Sequence, residues 1–385
     1  MLFGAKLSDA EIGNKMKKIY FNGIICRGGE SFKGCLVAEN GIIISVLPES
    51  APIPEGEKHN LNGNYIIPAF IDTHIHGWGG YGTDSFNAED LLKMSEVLCK
   101  NGVCAFMPAI YPNVPEIMLK NIKALVPALG KEKGAKILGF HLEGPFISPE
   151  KLGVMKPDAA TKADLGLMHK LYQAAQGKIA ALTLAPELEN IEKIVNFCLD
   201  NNILPQAGHT NATYKQMLNG AAMGIHHATH LFNAMRGISH REPGAAGAVI
   251  LTDKFSYELI ADGVHVCPEI IKMVLRLKPL QDLVLITDAL KPAGTQGGLA
   301  NGEDVKLEGG VFKRCVDGVV AGSALTMLKG VKNLVSWGIT LPQAAQAAAE
   351  NPARLHKLNF GTLQSGQRAY FNIIDKDLNL LETVL

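Results

Sequence analysis

The stretch IDTHIHGWGG, residues 71–80, sets His74 and His76 one residue apart, after an apolar run and before a cluster of glycines. In an extended strand, positions i and i+2 project to the same face, so both imidazoles can act on one ligand. A His-x-His pair alone is common enough to be merely structural. Four further side chains change the weighting: Glu143 closes GFHLE, His209 follows QAG, His230 follows HAT, and Asp288 closes LITD. All four are metal-ligand types at the C-terminal ends of short apolar runs. Histidine and carboxylate donors without a thiolate suit Zn²⁺ best, with Fe²⁺, Mn²⁺ or Co²⁺ also admissible, as one or two ions per chain. Such an ion brings the pKa of a bound water down to about 7. Asp288 is the candidate catalytic acid/base, with a plain ligand role as the alternative. His141 lies on the strand face of Glu143 and is expected to support it, whereas His226 and His227 read as core or hydrogen-bonding residues, and His59, His169 and His356 as surface ones.

A second group of residues would suit an anion. HREPG (240–244) carries Arg241, whose planar fork matches phosphate oxygens, and ADGVHV (261–266) adds His265. Asn233 and Ala234, in the turn after HATHLF, could offer backbone N–H groups. Taken alone, Arg241 is a solvated surface charge; together with the metal-type residues it points to a phosphorylated small molecule.

Eight short apolar runs carry these residues: YIIPAFIDTH, VCAFMPAI, AKILGFHLE, IAALTLAPE, ILPQAGHT, GIHHATHLF, FSYELIADG and DLVLITDA. Between them, segments such as AEDLLKMSEVLCKNG and ENIEKIVNFCLDNN have apolar residues at helical spacing and end in Asn or Gly, as helix C-caps do. Near-continuous apolar strands alternating with helices imply a parallel sheet covered on both faces. Eight such units make a closed (β/α)₈ barrel the leading topology, with an open doubly wound sheet as runner-up. In a barrel, C-terminal strand ends form the active face, where all the metal-type residues fall. Before the first run, IYFNGIIC, FKGCLVAENG and IIISVLPE read as a small sheet with Asn-Gly and Gly-Gly turns. After the eighth, TMLKGVKNLVSWG and LPQAAQAAAENPARLHKL read as helices, and the tail returns to β patterning, expected to rejoin the N-terminal sheet. The expected division is a small β domain from 1–67 with 360–385 and a catalytic barrel over 68–359; residues 1–15 read as an unstructured leader, with Met16 a candidate alternative start.

The 385-residue chain is 47% hydrophobic, with 37 basic and 37 acidic side chains and no net charge. No overall field therefore draws it to nucleic acid or anionic lipid. No stretch reads as a membrane span or a secretory signal. Seven scattered cysteines read as reduced thiols, placing the chain in the cytoplasm.

The motifs as a set, IDTHIHG, HLEGPFISPEK, TLAPE, GHT, THLFNAM, REPG, ADGVHV, TDA and AGSALTM, resemble the N-acetylglucosamine-6-phosphate deacetylase family of the amidohydrolase superfamily, in order and from about Lys18 onward. The resemblance implies a metal-dependent hydrolase barrel with a small β-sandwich domain formed by both termini. By motif it makes Glu143, His209 and His230 the principal metal ligands, Asp288 the catalytic acid/base, and His74 with His76 the holders of a second ion found in some members. It places Val154, Met155, Asn233, Ala234, Arg241, Asp262, His265, Val320, Ala321 and Gly322 around the sugar phosphate, and implies a homodimer with His265 reaching across the interface. The implied reaction releases acetate and D-glucosamine 6-phosphate from the N-acetyl sugar phosphate, in amino-sugar catabolism. One departure stands out: where relatives read Gly-Ala-His, this chain has Gly153, Val154 and Met155. A thioether cannot donate the N–H bond that a histidine could give near the acetamide. A galactosamine-type phosphate, a cyclic amide or nucleobase, and a catalytically weak barrel protein are the competing readings.

Overall fold

The computed structural model describes residues 17 to 385, so the expected leader over 1–15 and Met16 lie outside the described residues. The eight apolar runs form eight parallel strands: Phe70–Ile75 (β1), Val103–Ile110 (β2), Phe140–Leu142 (β3), Ile179–Leu184 (β4), Leu204–Ala207 (β5), His227–Ala228 (β6), Ser256–Ile260 (β7) and Leu283–Ile286 (β8). Each pairs in parallel with the next from β1 to β8. The ring closes at the C-terminal rim: Asp288 donates its backbone N–H to the His74 carbonyl at 2.9 Å, and the His76 backbone N–H donates to the Ala289 carbonyl at 2.9 Å. Beneath that rim, the Asp72 carboxylate accepts from the Thr287 hydroxyl at 2.6 Å and the Thr287 N–H at 3.2 Å. Two candidate chemical residues, His74 and Asp288, thus sit on the closing seam. The architecture is a (β/α)₈ barrel, as expected.

The helices follow their sequence signals. Ala88–Lys100 starts at Asn87, whose side chain accepts from Glu89 N–H, and ends at Asn101 followed by Gly102 at φ 88°. Residues 341–355 differ from the single regular helix expected of them: α-helix over Leu341–Ala345 passes through a π turn over Gln346–Glu350 to α-helix over Asn351–Leu355. Pro352 supplies the reason, since its ring crowds the carbonyl four residues back and it has no N–H to donate; the wider turn relieves both.

Both termini build one seven-stranded sheet, in the order Leu380–Val384, Phe371–Ile374, Tyr65–Pro68, Lys18–Arg27, Glu30–Glu39, Ile42–Pro48, with Glu57–Asn60 beside Lys18–Arg27. Its hairpins turn at Gly28-Gly29 and Asn40-Gly41, all four residues at positive φ as two-residue turns demand. Apolar clusters include Tyr20, Ile25, Leu36 and Phe371 in one and Ile19, Cys35 and Val37 in another. A further four-stranded antiparallel sheet, Gly297–Ala300, Glu303–Glu308, Val311–Arg314 and Val320–Ser323, follows β8. It is absent from the sequence expectations, although Asn301-Gly302 and Gly309-Gly310 are two-residue hairpin turns of the same kind.

Candidate metal centre

The barrel rim brings together the residues that the sequence scatters. His209 Nε2 and His230 Nε2 each stand 3.1 Å from Glu143 Oε1, and 3.2 Å from one another. Donors about 2.1 Å from a common ion in tetrahedral array would stand roughly 3.4 Å apart, so the triad has the spacing of a metal site. Beside it, His76 Nε2 lies 3.2 Å from Glu143 Oε2 and 3.3 Å from Asp288 Oδ1, while His74 Nε2 lies 3.4 Å from Glu143 Oε1 and 3.6 Å from Asp288 Oδ1. The donors at the rim therefore form two groups, Glu143–His209–His230 and His74–His76–Asp288, with the Glu143 carboxylate between them, and a third cluster of ligand-type residues, His74–His141–Glu258, shares His74. Glu143, His74, His76 and His230 are at most 2% exposed, His209 is 4% exposed, and the Glu143 Oε2 and His74 Nε2 atoms are buried without a hydrogen-bond partner. Buried acceptors converging without donors fit a cation.

The neighbours of three of the four imidazoles explain their aim, whereas His230 is held through its backbone N–H on Glu258 and its Nδ1 is buried without a partner. His209 Nδ1 faces the Lys151 carbonyl at 2.9 Å, His76 Nδ1 the Ala109 carbonyl at 3.1 Å, and His74 Nδ1 the Glu258 carboxylate at 3.1 Å. An acceptor at Nδ1 selects the tautomer that donates there and leaves the Nε2 lone pair for an ion. His209, His230 and Asp288 also have left-handed backbones, at φ 46°, 28° and 49°. Each falls two residues past its strand, where such a conformation turns the chain across the barrel mouth; strain of about 1–3 kcal/mol per residue is typical of functional sites. Gly208, just before His209, is required by space: a Cβ there would lie 2.7 Å from Thr229 Cβ.

Burial opposes charge at these groups and the neighbours reverse it. Burial would lower His74, but Asp288, Glu143 and Glu258 raise it well above the ordinary histidine value. His76 is raised against burial by Asp288 and Glu143. Burial likewise pushes Glu143 and Asp288 up, yet the surrounding imidazoles hold Glu143 well below and Asp288 below the usual carboxylate range. Both therefore stand ionised at neutral pH, as ligands or a proton acceptor must. His141 differs. Its ring nitrogens face the Thr73 carbonyl at 3.1 Å and the Thr183 hydroxyl at 2.8 Å, and burial, then the charge of His74, drives its pKa well down. It belongs to a polar floor that runs through Thr183, Thr229 and Gln206, not to the ligand groups.

A cleft opens over the two groups, lined further by Tyr111, Gly153, Val154, Met155, Asn233, Ala234, His265, Val320, Ala321 and Gly322. Roomier grooves exist, one against Lys33, Pro48 and Ile53 of the terminal sheet, but among the described residues none of the candidate ligand groups lines it. Met155 is 8% exposed and lines this cleft. Two sequence candidates stand apart. Arg241 is exposed and does not line its own chain's cleft. Asp262 spends its carboxylate on its own loop, accepting from Val264 and His265 N–H at 2.8 and 2.9 Å and from His265 Nδ1 at 2.6 Å, so it aims His265 instead of lining the cleft. Burial lowers His265, but Asp262 raises it above the ordinary histidine value, favouring the cation. His265 lines the cleft of its own chain. His356, expected at the surface, is half-buried instead, and burial lowers its pKa to about 4. Sequence reasoning missed Glu258, Tyr111 and Asp72, all at most 7% exposed. Glu258 and Asp72 had a legible signal: an acidic residue inside an apolar strand must find a buried partner.

The residues from 65 to 384 match the amidohydrolase family, and the chain belongs to that family. Its similarity is more particular than this. It is 32% identical to N-acetylglucosamine-6-phosphate deacetylase of Bacillus subtilis over 330 residues, 83% of each chain. It is also 32% identical, over 350 residues, to N-acetylgalactosamine-6-phosphate deacetylase of Escherichia coli O157:H7, covering 89% of this chain and 90% of that one. A solved N-acetyl-D-glucosamine-6-phosphate deacetylase of Mycobacterium smegmatis, a single-residue mutant in complex with N-acetyl-D-glucosamine-6-phosphate, superposes with a TM-score of 0.90 at 28% identity, over 97% of this chain and 98% of that one.

Proposed function

We propose that the chain is a hydrolase that cleaves the acetamide of N-acetyl-D-glucosamine 6-phosphate to D-glucosamine 6-phosphate and acetate. The observation that carries this reading is the Glu143–His209–His230 triad at 3.1–3.2 Å beside an ionised Asp288, in a chain that matches deacetylases over most of its length. Glu143, His209 and His230 would hold one divalent ion, Zn²⁺ first among the first-row metals, and His74, His76 and Asp288 a second. When bound, the metal polarises the amide carbonyl and makes a water acidic near neutral pH. The Asp288 carboxylate would accept the proton of the attacking water as its oxygen adds to the carbonyl carbon, and would return that proton to the amide nitrogen as the C–N bond breaks. His74, tied at Nδ1 to Glu258, and His76, tied at Nδ1 to the Ala109 carbonyl, hold fixed rings beside Asp288. His265 and the Asn233–Ala234 turn receive the phosphate, while Val320, Ala321 and Gly322 wall the sugar side.

Two readings of finer detail belong here. The protein works as a homodimer in the cytoplasm: seven free thiols suit a reducing compartment, and no helix among the described residues is long and apolar enough to cross a membrane. Arg241, exposed outside its own chain's cleft, is the cationic side chain that a dimer could bring to the phosphate of the partner. The similarity to an N-acetylgalactosamine-6-phosphate deacetylase gives the galactosamine epimer its standing as the second substrate reading. Acetate release from the N-acetylglucosamine and N-acetylgalactosamine 6-phosphates, and from both sugars without phosphate, tests the proposal. The expected order puts the glucosamine phosphate first and the unphosphorylated sugars far behind; equal rates with and without phosphate would contradict it.

A further inference from the structure

Glu258 has no part in the chemistry above, yet it is fully buried in β7 between Tyr257 and Leu259. Its Oε2 lies 3.1 Å from His74 Nδ1 and accepts the His230 backbone N–H at 3.3 Å. Its Oε1 has no hydrogen-bond partner, and His227 Nε2, also without one, is 4.0 Å away. Among the described residues, the only side chain that satisfies this carboxylate is therefore His74. A lone buried carboxylate is costly, and it becomes tolerable when the imidazole it holds is polarised by a cation on the opposite nitrogen. His141 offers no competing role in a third ion site, since Thr73 and Thr183 engage both its nitrogens.

From this geometry we propose that Glu258 is the positioning residue of the second ion site: it fixes the His74 ring and tautomer, and through them decides whether the chain holds two ions or one. The inference rests on the metal reading above. The two groups of donors respond differently to its loss. Glu143, His209 and His230 keep their side-chain geometry, because Glu258 touches only the backbone of His230. His74 loses the acceptor that aims its Nε2. A carboxylate behind a metal-bound histidine typically changes ion affinity by about 10–100-fold.

The test titrates metal-stripped full-length protein with Co²⁺ by calorimetry and follows the visible Co²⁺ spectrum, for wild type, Glu258→Gln, Glu258→Met and, as control, His74→Asn. Wild type should take two ions per chain and His74→Asn one. Glu258→Met should bind the first ion within about twofold of wild type and the second about 10–100-fold more weakly. Glu258→Gln keeps an acceptor without charge and should fall between them. An unchanged second ion in Glu258→Gln or Glu258→Met overturns the inference, as does equal weakening of both ions. If Glu258→Met does not fold, Glu258→Gln decides on the same criterion. A wild-type chain that releases acetate with a single ion overturns this inference but leaves the deacetylase reading; one that binds no ion overturns both.

Discussion

The two ends of the cleft are built differently. At the candidate metal end the side chains leave barrel strand termini, Glu143 and the four histidines are buried and Asp288 partly so, and each imidazole has its far nitrogen or its backbone tied in place. At the proposed phosphate end the groups sit on loops: Arg241 is exposed, Asn233 and Ala234 are partly exposed, and the ties are local ones, Asn233 to the His230 and Leu231 carbonyls and His265 to Asp262. Chemistry needs atoms held within about half an ångström, and strand ends supply that; recognition of a charged group tolerates loops and tunes by exchanging them. Substitutions should therefore act on turnover at one end and on substrate affinity at the other.

The largest effect is expected at Asp288. Asp288→Asn should keep the ion of the Glu143–His209–His230 group while kcat falls about 10²–10⁴-fold, the usual range for a lost general acid/base; near-normal turnover in that variant removes the assigned role. Next comes the phosphate end: Arg241→Ala should raise KM for the phosphorylated sugar about tenfold or more and leave kcat within a few-fold, the pattern of lost uniform binding. A fall in kcat with KM unchanged would erase the contrast between the two ends. Met155→His tests the boundary between them. It restores a donor near the acetamide and should raise kcat/KM on the glucosamine substrate by up to about 10²-fold, since removal of one such donor costs that much or more elsewhere; no gain would mean that the site is already complemented.

The smallest effect concerns stability beneath the rim. Burial, then repulsion from His356, lowers His227 to about 3, and burial lowers His356 to about 4. Between pH 6.5 and about 4 the unfolded chain therefore binds protons that the folded one refuses, and stability falls as the pH drops, by at most about 1.4 kcal/mol per pH unit for each histidine. Urea midpoints measured across that window should flatten in a His356→Asn variant. An unchanged slope would mean that these histidines do not drive acid unfolding.

The same contrast governs how much is legible in the sequence. Strands with continuous apolar character, each ending in a metal-type residue, make the barrel and the positions of His74, His76, Glu143, His209, His230 and Asp288 readable without coordinates. Local patterns are enough because strand ends of a closed barrel must meet at one rim. Arg241 and His265 are readable as anion-type residues but Asp262 only through family resemblance, and where their loops point is not readable, since a loop's direction depends on contacts far away in the chain. Asp262 illustrates this: its type suggests a ligand contact, but its loop consumes both oxygens. The sheet over 297–323 escapes notice although its two hairpin turns are in plain view, because Val320–Gly322 reads as a lining segment until one asks what carries it. The π turn before Pro352 follows from proline chemistry that a purely periodic reading overlooks. Glu258 needs a question about partners: what a buried acid on a central strand is paired with.

The most direct test of the central claim is the metal content per chain, by mass spectrometry after exhaustive dialysis, of wild type and of Glu143→Gln, the residue that touches both donor groups. The account predicts at least one equivalent of a first-row divalent ion in wild type and a near-complete loss in the variant, with the fold intact by circular dichroism. Full metal retention in Glu143→Gln, or a metal-free wild type that still releases acetate, would contradict it.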